Sequence, residues 1–182
     1  MSTSSLRWFK CLGASALLLL AACSGSRPEG WRKARGIEAG GFSVLMPVAN
    51  AVQQGDLVLN GDSVRSHLAL ASDSGVTYTA AYLDLPASLV DAAPKEQASA
   101  IWSMLNGRLG VLPLDEPPPI GPPTPTTQSA WYLAKDGTRL AAVVHLRGGR
   151  AVLLNSACPD RFFGEPERAR MMRYFSSIEF AP

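Results

Sequence analysis

Apolar and polar positions change period along this chain, and each change marks an element. From Val64 to Ala71, Val64, Leu68 and Leu70 oppose Arg65, His67 and Ala69. Val76 to Leu83 follows, with Tyr78, Ala80 and Tyr82 on one side. Asp73-Ser74-Gly75 lies between the two runs, so they predict a hairpin. From Pro94 to Leu109 the period lengthens. Ala98, Ile101, Trp102, Leu105 and Leu109 recur at the spacing of an amphipathic helix, with Pro94 in its first turn and Gly110 just past its end. Ser129 to Lys135, Thr138 to Arg147 and Arg150 to Ala157 read as three strands. Asp136-Gly137 and Gly148-Gly149 are their turns, giving an antiparallel meander. Pro166 to Phe175 predicts a second helix, with Glu165 and Glu167 early and Arg170 and Arg173 late, in the order the helix dipole favours.

Shorter pieces complete the pattern. Phe42 to Met46 is a strand closed by Pro47, Asp56 to Asp62 an extended piece around the Asn60-Gly61 turn signal, and Ser177 to Phe180 a terminal strand. Seven of the chain's 14 prolines fall between Pro113 and Pro125. So many missing N–H groups exclude helix and ladder, leaving a stiff, exposed loop that is either a spacer or a docking segment. There is no internal repeat. Strands then helix, twice over, predict an α+β fold: a central antiparallel β-sheet flanked by two helices.

The first 40 residues are different. Arg7 and Lys10 precede an apolar run from Cys11 to Ala22, broken only by Ser15. About a dozen apolar residues are too few to cross a bilayer, which takes roughly 20. They have the layout of a secretory signal peptide. Leu20-Ala21-Ala22-Cys23 closes it and resembles the lipobox of bacterial lipoproteins. That resemblance implies cleavage before Cys23 and a diacylglycerol thioether, usually with an added N-acyl chain, on its sulfur. One acyl chain anchors marginally and two or three hold. Ser24 stands where an Asp would retain such a protein in an inner membrane. The resemblance therefore implies the periplasmic face of an outer membrane before an inner one. Ser24 to Gly40 reads as a tether. Its residues Trp31, Arg32 and Lys33 are candidate contacts with anionic headgroups, the alternative being a solvated linker. Three segments result: leader 1–22, lipidated tether 23–40, and a single domain 41–182.

Composition narrows the function classes. Loss of the leader removes Arg7 and Lys10, leaving 15 basic residues against 15 acidic ones. A neutral chain without a basic patch does not suggest nucleic acid. With Cys11 discarded and Cys23 lipidated, Cys158 is the one remaining thiol, so no internal disulfide forms. It reads either as a small buried hydrophobe or as a nucleophile served by His67 or His145. Metal-binding, phosphate-loop and hydrolase motifs are absent from the sequence, so no cofactor is expected. Trp102, Trp131, Tyr78, Tyr82 and Tyr132 fit core packing before a ligand cage.

The opening Gly41-Phe42-Ser43-Val44-Leu45-Met46-Pro47 is similar to the entry of PsbP-like domains. So is Tyr78-Thr79-Ala80-Ala81-Tyr82-Leu83-Asp84-Leu85-Pro86, and the close from Arg173 to Phe180 resembles that superfamily's helix-to-strand finish. The resemblance implies an α/β/α sandwich and a binding or assembly module rather than an enzyme, and it transfers no catalytic residue. The sequence thus leads to a lipid-anchored envelope protein that is a non-catalytic binding or scaffold module with a protein partner. The alternative is a carrier of an apolar ligand between sheet and helices.

Overall fold

The computed structural model describes residues 30–47 and 50–182. In chain order the strands and helices are β1 (Trp31–Lys33), β2 (Phe42–Ser43), β3 (Leu45–Pro47), β4 (Asn50–Leu59), β5 (Asp62–Asp73), β6 (Val76–Asp84), α1 (Ala87–Val90), α2 (Pro94–Leu109), β7 (Val111–Pro113), β8 (Thr127–Ala134), β9 (Thr138–Arg147), β10 (Arg150–Pro159), α3 (Glu165–Ser176) and β11 (Glu179–Phe180). Seven strands form one sheet in the order β4-β5-β6-β10-β9-β8-β7, and β1-β3 and β2-β11 form two small ribbons. Every pairing is antiparallel.

Local chemistry sets this register. Asn60-Gly61, Ser74-Gly75 and Gly148-Gly149 all have positive φ at both positions. That is the backbone of the two-residue turns whose twist matches a hairpin. Helix α2 starts on Pro94 and stops where Gly110, in the left-handed region, returns its N–H to Asn106. Helix α3 is opened by the Glu167 carboxylate, which accepts the Gly164 N–H at 3.0 Å.

Both faces of the sheet are covered, so the central strands are buried on both sides. Val152 and Leu154 point into one apolar layer while Ala151 and Leu153 point into the other. The first layer gathers Tyr78, Trp131, Tyr174 and Phe175, and the second Leu59, Leu68, Leu83 and Ile101. Their cover is unequal. Helices α1 and α2 lie on the second layer through Leu89, Ala98 and Ile101. The first is roofed by α3 together with Ile37, Phe42, Val44 and Met46 from the two ribbons and the turn between them.

The fold is therefore mostly β, and the expected α+β sheet flanked by two helices is overturned. Three short helices and two 3-10 turns account for only about 24% of the structure, and much of one face is roofed by β-ribbon. A PsbP-like α/β/α sandwich falls with it. Two pieces of β structure escape the sequence pattern. Asn50 to Gly55 belongs to the ten-residue strand β4, and Trp31–Lys33, expected within the tether, is a strand paired with Leu45–Pro47.

Part of the segment expected as a tether over 23–40 packs on the domain. Ala34 is buried and donates its N–H to Val44 O at 2.8 Å, and Ile37 is fully enclosed. Trp31 to Gly40 thus belong with the folded body.

Candidate functional site

Leu20, Ala21, Ala22 and Cys23 lie outside the described residues. Trp31 is the first residue of the first described strand. Seven residues, Ser24 to Gly30, separate Cys23 from Trp31, and the eight steps between the two, at 3.3–3.6 Å each, span at most about 29 Å. A lipid on Cys23 would hold the body within that distance of a membrane. Among the described residues no helix is long and apolar enough to cross one.

The three candidate surface residues do different jobs. The Trp31 ring meets Tyr78 edge to face at 5.0 Å and carries the Arg173 guanidinium over it at 5.3 Å. It is a packing residue, half covered by the domain. Lys33 Nζ pairs with Glu179 at 2.8 Å, joining β1 to β11, and this cation holds the Glu179 carboxyl below the usual carboxylate range. Arg32 is exposed, and it is the one of the three without a side-chain partner among the described contacts.

The Cys158–histidine constellation is taken apart by the sheet register. His67, Tyr82, Val152 and His145 stand in one row across the sheet. Cys158 lies six residues along β10 from that row, roughly 20 Å away at 3.3 Å per residue. The two histidines are themselves three strand spacings apart, about 14 Å. Cys158 is 2% exposed, and burial pushes its thiol up, away from the reactive thiolate. It is a core residue. Among the described residues no three His, Cys, Asp or Glu side chains come together as metal ligands.

Each histidine has its own setting. His67 stacks flat on Tyr82 at 4.7 Å, and Arg150 lies over the same tyrosine at 5.0 Å while binding Asp84. His145 is buried, with Nδ1 3.0 Å from Thr127 Oγ1, Phe180 against its ring, and no partner for Nε2. Burial lowers its pKa to about 4. The neutral ring is the form the fold accepts, so the unfolded chain takes up a proton first, near pH 6.5. Stability is full above that pH and falls as pH drops toward 4, by about 3 kcal/mol in all. Urea midpoints of wild type and His145→Gln, measured between pH 7 and 4, should converge in acid. Parallel profiles would show that His145 does not titrate on unfolding.

The proline-rich loop is pinned. Trp131 Nε1 donates to Pro117 O at 3.0 Å and Ser129 Oγ to Ile120 O at 3.2 Å. Arg139 binds Glu116 and, at 2.7 Å, Asp160, with Phe163 beneath its guanidinium at 4.5 Å. Sequence reading missed this cluster, because its members lie far apart in the chain and carry no shared spacing. Open grooves line α1: one of about 550 Å³ against Asp62, Arg65 and Asp84, and one of about 570 Å³ between Val58, Leu89, Ser99 and Met104. No protein-family profile and no curated protein matches this chain.

Proposed function

We propose that this chain is a lipid-anchored protein of a bacterial cell envelope, held by lipid on Cys23 at the periplasmic face of the outer membrane, and that it binds an envelope protein without performing catalysis. The observation that carries the reading is Leu20-Ala21-Ala22-Cys23 behind its apolar run. Trp31, eight positions later, is part of the fold, in agreement with a body seated close to its anchor. The side chains of the two apolar layers favour binding over carriage of a lipid. Trp131, Tyr78, Tyr174, Phe175, Leu83, Ile101 and Leu154 are each less than 2% exposed, so the space between sheet and cover is filled by the protein itself. The grooves beside α1 open to solvent and mix serine, acidic and apolar side chains, unlike the dry interior a lipid tail requires.

Crosslinking in native membranes, with mass-spectrometric identification of neighbours, tests this. One recurrent envelope protein as the neighbour is the expected result. Native lipid co-purifying in stoichiometric amount with the domain, and no recurrent protein, would move the assignment to a carrier.

A further inference from the structure

The seven-stranded sheet has two edges, and they are built differently. At one, β7 is three residues long and ends in Pro113, which has no N–H to offer. At the other, β4 runs for ten residues, has β5 as its single hydrogen-bonded strand neighbour among the described residues, with Arg35 and Gly36 against Asn50 and Val52 at its start, and contains neither proline nor lysine. Edge strands of that length normally carry such protections, because an open row of N–H and C=O groups is a template for another strand. Along β4, Val52 is 48% exposed and Val58 58% exposed, both on the same side of the sheet.

We propose that β4 is an interface, and that its occupant is β4 of a second copy of this chain. The pairing is antiparallel about a two-fold axis at Gly55. It extends the sheet from seven strands to fourteen.

The sequence of the strand argues for that occupant. An antiparallel partner related by a two-fold puts residue i opposite the partner copy's residue 110 − i when Gly55 lies on the axis. Val52 then faces a second Val58, and Val58 a second Val52. Gln54 faces a second Asp56, whose carboxylate accepts from the amide, and Ala51 faces a second Leu59. Directly opposed side chains on one face are the pairs that stabilise a ladder. Moving the axis to Gln54 sets Val52 against Asp56. Moving it to Asp56 sets two carboxylates against each other, which is unfavourable. One register satisfies both apolar residues and the charge. Asp56 is already partnered within its own sheet by Arg65 at 3.5 Å, so pairing introduces no unbalanced acid at the centre. At this size the contact is a modest one, below the roughly 800 Å² per partner of a standard interface. Confinement of both copies to one surface would favour it. The proposal itself stands on the strand and does not require the lipid.

The register gives a direct test. On the axis, the two Cα atoms of residue 55 lie about 4.5–5.5 Å apart, within disulfide range. Cells expressing the full chain with Gly55→Cys, treated with copper phenanthroline, should yield a disulfide dimer at least tenfold above wild type. Gln53→Cys should not, because four residues of offset place its thiols about 13 Å apart. Should Gly55→Cys fail to fold, judged by protease resistance, Val52→Cys and Val58→Cys are co-expressed with distinct tags. The mixed dimer should form, and Val58→Cys alone should not. Equal crosslinking at 53 and 55, or no mixed dimer from 52 with 58, would overturn the proposal.

Discussion

A Cys23→Ser chain is expected to leave the membrane fraction completely and to take up no fatty-acid label. The substitution changes one atom, but that atom is the sulfur on which the proposed thioether is made, and a serine hydroxyl is not alkylated in its place. The consequence follows from chain arithmetic. Each buried methylene contributes roughly 0.8 kcal/mol, so two or three acyl chains hold essentially without dissociation where one binds marginally. Among the described residues no helix is long and apolar enough to span a bilayer. Arg32 is one exposed cation, and Lys33 is engaged with Glu179. Labelling with an alkyne fatty acid, followed by a carbonate wash and sedimentation, reads both effects at once. Urea stability of the domain should be unaffected. A label that persists in Cys23→Ser would place the lipid elsewhere.

Trp131→Ala should cost about 3–5 kcal/mol, a large part of the 5–15 kcal/mol typical of a domain. Trp131 is fully buried at the centre of one apolar layer, meets Phe163 edge to face at 5.5 Å, and lies under Arg168 at 5.3 Å. Its indole N–H also holds the proline-rich loop through Pro117 O. Removal therefore opens a cavity and frees the loop together. Trp131→Phe separates the two effects: it keeps most of the packing and loses the hydrogen bond, for roughly 1–2 kcal/mol. Urea midpoints measure the first effect. Protease cleavage between 113 and 125 measures the second, and it should rise in both variants. A loop that stays resistant in Trp131→Phe would show that the Ser129 and Arg139–Glu116 contacts retain it without the indole N–H.

Where the sequence was legible, the signal was local. Helix α2 runs over Pro94–Leu109, as its 3.6-residue stripe and terminal glycine indicate. The meander appears as β8, β9 and β10, its ends within two residues of the expected ones, because each turn needs a residue with positive φ and glycine supplies it. Strand β4 is legible only from Asp56 onward, for a physical reason. It is an edge, its Gln54, Asp56 and Val58 lie in solvent, and Gly55 interrupts the alternation that burial would have imposed. Strand β1 was hidden inside a charged stretch, since Arg32 and Lys33 look like linker until Lys33 meets Glu179 from the far end of the chain. These two omissions made the fold look α+β. The polar cluster around Arg139 is non-local, and no periodicity could announce it. Conversely, the Cys158 and histidine residues suggested chemistry only because sequence distance conceals their separation on the sheet.

The central claim is that the mature chain starts at Cys23 with lipid on its sulfur. Intact mass of the protein extracted from membranes, with fragmentation of its N-terminal peptide, tests it most directly. The account predicts loss of residues 1–22 and a first residue heavier by a diacylglyceryl group and an N-acyl chain. A free thiol at Cys23, or a chain that retains its leader, would contradict it.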